Sequence, residues 1–249
     1  MKKGVWILLA AIIMISVVFV GCKKKEDAVI TVASDATWPP MEFIDADKEI
    51  VGFDIDLMNM VAEEGGFKVE FRNTAWDGIF AGLANGNYDA VISSVTITDE
   101  RKKTMDFSTP YINAGQVLIV QSSASGVTTL ADLKGEAAGA QIGTTGAFEI
   151  DKVDGVELKT YDELGLAIED LVNGRIGGVV ADTPIAADFA LQNESYKGKL
   201  KIVGEPFTDE YYGVAVKKGN DEVLDKINAG LKKVLDAGKD EELKDKWLR

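Results

Sequence analysis

"FKVEFRNTAWDGIFAGLANGNYDAVISS", residues 67–94, decides the fold class. "FKVEFR" (67–72) reads as a strand, and "WDGIFAGLANG" (76–86) sets Ile79, Phe80 and Leu83 on one face of a helix. "YDAVISS" (88–94) reads as a second strand, so the stretch is a βαβ unit. Its last strand delivers "SSVTITDER" (93–101), with the hydroxyls of Ser93, Ser94, Thr96 and Thr98 followed by Arg101. That is the end of the strand at which open α/β sheets bind ligands. Local sequence also allows a plainer reading. Ser and Thr form turns, Thr98 caps a short helix, and Arg101 faces water from its first turn.

The same alternation runs outward in both directions. Upstream, "VITVAS" (29–34) is a short β-branched run, and "DIDLMNMVAEEGG" (54–66) has Ile55, Met58, Val61 and Ala62 at helical spacing. Asp54 is its expected N-cap, with Gly65 or Gly66 ending it. Downstream come "QVLIVQ" (116–121), "TLADLKG" (129–135), "GAQIGTTGAFEI" (139–150), "VELKTY" (156–161), "DELGLAIEDLVNG" (162–174) and "GGVVADTP" (177–184). The fold class is α/β, and the length suits two small lobes better than one doubly wound sheet. In "DEELKDKWLR" (240–249), Leu243, Trp247 and Leu248 fall at helical spacing and are expected to pack on the first lobe.

The amino terminus bounds the compartment. Met1-Lys2-Lys3 precedes an apolar run from Val5 to Val20, and Gly21 precedes the single cysteine, Cys22. This is a signal peptide, residues 1–22, and its end resembles the lipobox of bacterial lipoproteins, although Phe19 stands where Leu is usual. Cys22 is then the lipid-bearing first residue. The alternative is an uncleaved anchor helix; either way the domain lies outside the cytoplasmic membrane. Residues 23–27 are charged and free of apolar side chains, which makes them a tether, and the fold starts near Ala28. With one cysteine there is no intramolecular disulfide.

The net charge is −14, and loss of Lys2 and Lys3 with the signal peptide makes it more negative, so nucleic acid is not an expected partner. There is no histidine. That removes the commonest general base and metal ligand, and no metal or cofactor is expected.

Polar groups gather at the ends of several strands. "VITVAS" runs into Asp35-Ala36-Thr37-Trp38-Pro39-Pro40, "AVISS" into Val95-Thr96-Ile97-Thr98, and "VVA" into Asp182-Thr183-Pro184. Gln141-Ile142-Gly143-Thr144-Thr145-Gly146 opens a helix whose free N–H groups suit an anion. Each has a structural alternative taken singly: Asp182 is a good N-cap, Trp38 suits a core, and the glycines suit turns.

Taken in order, D-x-x-W-x-P (35–40), W-D-G (76–78), S-S-x-T-x-T-D-E-R (93–101), Tyr111, G-T-T (143–145) and A-D-T-P (181–184) resemble the periplasmic amino-acid-binding proteins that feed ABC importers. The resemblance spans nearly the whole mature chain, and "TITDERKKTMDFSTPY" (96–111) is its most specific piece. It implies the two-lobe periplasmic-binding-protein fold of type II, with two crossovers forming a hinge. Residues 28–114 and 211–249 would make the first lobe and 115–210 the second.

The resemblance also implies roles. Arg101 would take a ligand α-carboxylate, helped by Thr96 and Thr145, and Asp182 the α-ammonium. Trp38 and Trp76 would sandwich the side chain, Asp35 would reach it, and Ser93 and Ser94 match paired serines of members that bind basic amino acids. Gln141 stands where glutamine-specific relatives carry a lysine. Arginine is the expected ligand, then lysine or ornithine, with glutamine as rival. The protein would be a monomer that delivers its ligand to a permease. An enzyme on the same fold, a dehydratase or lyase, is the competing class, but without histidine its proton donor would have to be a carboxylate or lysine.

Overall fold

The computed structural model describes residues 29–249; the expected signal peptide, Cys22 and the expected tether lie outside the described residues. The chain opens with β1 (Val29–Ser34) and a small antiparallel meander of β2 (Thr37–Trp38), β3 (Glu42–Ile44) and β4 (Ile50–Val51). Helix α1 (Phe53–Gly65), β5 (Lys68–Asn73), α2 (Ile79–Asn85) and β6 (Ala90–Val91) follow, then β7 (Met105–Phe107) and the short β8 (Ile112–Asn113). The middle of the chain forms β9 (Gln116–Gln121), β10 (Ala137–Gln141), α3 (Thr145–Asp151), β11 (Glu157–Tyr161), α4 (Leu164–Val172), β12 (Gly178–Asp182), α5 (Thr183–Ala187) and β13 (Leu200–Val203). It returns through β14 (Tyr211–Tyr212) to β15 (Ala215–Lys217), α6 (Asp221–Asp236) and α7 (Lys239–Trp247).

These strands make two five-stranded mixed sheets of the same design. The first has the order β5-β1-β6-β15-β7 and the second β11-β10-β12-β9-β13. In each, three parallel strands come from βα units, and the fourth strand runs antiparallel to its neighbours. In the first sheet that fourth strand, β15, arrives from the far end of the chain. The stretch at 67–94 folds as its sequence indicates: Ile79 and Leu83 of α2 are buried under the sheet with Val91 and Met105, while Phe80 is only partly covered.

The two lobes are joined where β8 and β14 pair antiparallel, Tyr211 opposite Asn113 and Tyr212 opposite Ile112. This two-stranded ribbon is flanked by Tyr111 N–H on Tyr212 O (3.0 Å) and Ala114 N–H on Glu210 O (2.8 Å). Gly115 follows at once, and a Cβ there would lie 2.3 Å from Thr208 O, so only glycine lets the crossovers run this close. Ile97 N–H bonds Tyr211 O (2.8 Å) and Gly213 N–H bonds Val95 O (3.0 Å), which ties the Ser/Thr stretch after β6 to the return crossover.

Two helical details differ from or refine the sequence reading. Asp54 is not the N-cap of α1. Gly52 is, with φ of 133°, because a Cβ there would meet Met41 O at 2.2 Å; Asp54 lies in the first turn, fully buried, with its carboxylate turned to other partners. At the other end Gly66 adopts the left-handed conformation and its N–H closes the helix on Ala62 and Glu63 carbonyls. The carboxyl-terminal helix packs on this lobe through buried Leu243 and partly buried Trp247 and Leu248. Trp247 meets Phe43 edge-on at 5.8 Å and donates from Nε1 to Asp56 Oδ2 at 2.8 Å.

Candidate functional site

Between the lobes, at the carboxyl ends of the parallel strands, lies a cleft. All ten side chains that the sequence marks out line it: Asp35, Trp38, Trp76, Ser93, Ser94, Thr96 and Arg101 from the first lobe, and Gln141, Thr145 and Asp182 from the second. Glu42 and Thr144 complete the lining.

Of the plainer reading of "SSVTITDER" the Thr98 contact holds and the water-facing arginine does not. Thr98 Oγ1 accepts the Arg101 N–H at 3.1 Å, capping a one-turn 3₁₀ segment over Arg101–Lys103. The Arg101 side chain does not face water. It turns into the cleft, where Nη1 donates to Thr96 O (2.9 Å) and Nη2 reaches across to Gly143 O in the second lobe (3.2 Å). The guanidinium carbon sits 5.4 Å from the centre of the Trp76 ring and 5.1 Å from that of Phe80, with the two rings packed edge to face. Burial lowers its pKa to about 10 against the opposing pull of Asp182 and Glu210, so it stays charged at neutral pH.

Asp182 faces the same end from β12. It occupies the N-cap position of α5 but makes no side-chain cap bond there; instead its Oδ1 accepts from Gln116 Nε2 at 3.0 Å. Burial, and next the charge of Glu210, raise its pKa to about 7. Gln116 Nε2 also donates to Thr145 Oγ1 (3.1 Å), whose hydroxyl lies 3.5 Å from that of Thr96. This end of the cleft thus holds a cation, a carboxyl and several hydroxyls from both lobes. Thr144 caps α3, its Oγ1 accepting from Ala147 N–H at 3.3 Å.

The other end holds acids without a basic partner. Asp35 Oδ2 accepts from Gln141 Nε2 (2.9 Å) across the cleft and Oδ1 from Thr37 Oγ1 (2.9 Å). Burial still raises its pKa. Glu42, fully buried, accepts from Ser93 Oγ (3.1 Å) and Ser94 Oγ (3.4 Å). Burial and the neighbouring Asp54 charge push its pKa well up. Among the described residues none of Asp35, Glu42 and Asp54 is ion-paired to a lysine or arginine.

Sequence reasoning missed Glu42, Thr144, Gln116 and Phe80. Glu42 enters because β2 pairs with β3 in the register that sets it opposite Trp38, a contact that no local motif announces. Phe80 was legible as helix face but not as the edge that Arg101 covers. Among the described residues no group of three or more Cys, Asp or Glu side chains is arranged to hold a metal ion.

The bacterial extracellular solute-binding protein model, family 3, matches residues 30–249. A curated relative, the probable histidine-binding protein of Neisseria gonorrhoeae, is 38% identical over 224 residues, covering 88% of this chain and 83% of the relative. Among solved structures, an ancestral arginine-binding protein bound to arginine superposes with a TM-score of 0.84 at 40% identity, covering 90% of this chain and 100% of the other. An ancestral arginine-binding protein bound to glutamine gives 0.83 at 42% identity, with 88% and 97% covered. The chain belongs to the family 3 extracellular solute-binding proteins. By that kinship it works outside the cytoplasm as a solute-binding transport protein and not as an enzyme.

Proposed function

We propose that this family 3 binding protein captures a free L-amino acid with a cationic side chain, arginine ahead of lysine and ornithine, and presents the closed form to an ABC permease. One observation carries the choice of side chain: Asp35 and Glu42 line the far end of the cleft, with Asp54 behind them, and among the described residues no lysine or arginine is ion-paired to them. A buried carboxylate without a counter-charge is costly, and a ligand guanidinium or ammonium supplies the missing charge. At the near end Arg101, with Thr96 and Thr145, takes the α-carboxylate and Asp182 the α-ammonium. Trp38 and Trp76 flank the stem between, while Ser93, Ser94 and Gln141 supply hydrogen bonds to the side chain.

Arg101 and Thr96 stand on one lobe, and Thr145 and Asp182 on the other. A ligand that bonds both sets favours the closed arrangement, so binding and hinge motion are one equilibrium. The moving bodies would be 28–114 with 211–249, and 115–210, parting at the paired crossovers. The working form would be a monomer held to the membrane through lipid on Cys22. Cys22→Ser should abolish lipid modification and release the protein from the membrane; unchanged partitioning with membranes rejects the anchor.

Glutamine is the second reading, favoured by Gln141 Nε2, which already bonds Asp35 and so softens its demand for a cation. A thermal-shift screen of the proteinogenic amino acids and ornithine, followed by calorimetric titration, decides between them, because a ligand that binds only the native state raises Tm. Arginine should bind most tightly. Tighter binding of glutamine than of arginine overturns the proposal.

A further inference from the structure

Asp54 does not line the cleft, yet it bonds Ser94, which does. Its Oδ2 accepts the Ser94 N–H (2.7 Å) and the Tyr111 hydroxyl (2.9 Å). Ser94 has φ of 50°, a left-handed conformation that a serine adopts only when held, and the Asp54 bond to its N–H holds it. The other carboxylate oxygen, Oδ1, is buried and has no donor. Glu42, also fully buried, neighbours Asp54 and is joined to it through Ser94, whose N–H bonds Asp54 and whose Oγ bonds Glu42 (3.4 Å); among the described residues its donors are Ser93 Oγ and Ser94 Oγ. Two buried carboxylates side by side cannot both be ionised without a cation, and an acceptor oxygen with no donor beside a second carboxyl is completed by one proton between them.

We infer that Glu42 and Asp54 share a single proton while the cleft holds no cation, and that entry of a cationic side chain at Glu42 expels this proton to solvent. The inference rests on the proposed basic ligand for its second half only. The groups facing the pair are acidic or phenolic: Asp35 after β1, Tyr111 before the first crossover, Tyr212 on the return crossover and, further off, Asp182 of the second lobe. Among the described residues no lysine or arginine faces it, so there the proton supplies the positive charge until the ligand brings one. Asp54 is then a positioning residue: it touches no ligand, but it fixes Ser94 and sets the charge that Glu42 presents. The site can accept a neutral side chain with the proton kept and a cationic one with the proton lost, which makes its preference between arginine and glutamine depend on pH.

Asp54→Asn is the matching variant. Its Oδ1 can take over the bonds from Ser94 and Tyr111 while its amide donates to Glu42, so the fold is kept and the shared proton is removed. In ¹³C NMR of the ligand-free parent, one of the two carboxyl carbons should remain in its protonated form at pH 7, and in the variant Glu42 should be ionised. Arginine titrated calorimetrically in buffers of different ionisation enthalpy should release about one more proton from the parent than from the variant. The bonds at Asp182 are the same in both proteins, so proton release there cancels. Two ordinarily titrating carboxyls in the free parent overturn the shared proton whatever the ligand is. Equal proton release from parent and variant overturns the expulsion step. Arginine that fails to bind the parent overturns the ligand reading and the expulsion step with it, and the NMR result still decides the pair.

Discussion

The two ends of the cleft are built on opposite electrostatic plans. At the near end half-buried Arg101 and buried Asp182 are both present, each within the other's field, and the hydroxyls of Thr96 and Thr145 line the same end. At the far end Asp35, Glu42 and Asp54 stand together with no cation among the described residues. A balanced end fits what every free amino acid carries, an ammonium and a carboxylate. An unbalanced end distinguishes among side chains, because only one class of ligand removes its deficit. Affinity and selectivity are therefore assigned to different residues, and mutations can separate them.

The largest expected effect is at the balanced end. Arg101→Ala or Asp182→Ala strands the opposite charge in the complex, a loss of about 3–5 kcal/mol, or at least a hundredfold in Kd, for arginine and glutamine alike. Calorimetry with either variant inside tenfold of the parent would remove the division of labour at its root. Asp35→Asn should act on one ligand only. Arginine should bind roughly 10- to 100-fold more weakly, as for loss of one charged hydrogen-bond partner, with glutamine unchanged. Parallel losses for both ligands would make the far end a second general clamp.

The pH dependence sharpens the same contrast. With Asp182 near pH 7 in the free protein and the ammonium requiring its ionised form, the ligand must displace a proton below that pH. Through Asp182, affinity for glutamine should be level above pH 7 and fall up to tenfold per unit below it, whereas arginine, which also expels the proton shared by Glu42 and Asp54, should keep gaining affinity above pH 7. For the free protein the sign is the reverse of an ordinary salt-bridged acid. The folded state holds the Asp182 proton more tightly than the unfolded chain does, so its contribution to stability is present at low pH and is lost as pH rises from the ordinary carboxylate range through about 7. Asp182→Asn should accordingly raise the Tm of the ligand-free protein by a few degrees at pH 8 and much less at pH 4. A variant equally or less stable than the parent at pH 8 would show that the buried carboxyl is no liability.

The smallest effect is expected at Phe80. Its ring lies 5.1 Å from the Arg101 guanidinium carbon and packs on Trp76, so Phe80→Leu should weaken all ligands only a few-fold, in keeping with about 0.5–1 kcal/mol for one cation–π contact. An effect as large as that of Arg101→Ala would mean that Phe80 positions the guanidinium rather than merely covering it.

The sequence by itself determined the alternation of strands and helices, because hydrophobic period and glycine stops are local properties of the chain. The βαβ reading of 67–94 and the strand at 116–121 need no tertiary information. The strand-end residues were legible for the same reason: Asp35 directly follows β1, Gln141 and Asp182 end β10 and β12, Ser93 and Thr96 lie in the segment just past β6, and parallel strands point their carboxyl ends to one side. What only the tertiary structure decided is where charge is left uncompensated. Asp54 looks like a helix cap and Glu42 like any polar residue after a proline turn. Their meaning comes from Gly52 taking over the cap, from the pairing of β2 with β3, and from Ser94 bending back to Asp54. Compensation of a buried charge depends on which groups lie within a few ångströms through space, and that distance is set by packing between segments far apart in the chain, which no local pattern of residues records.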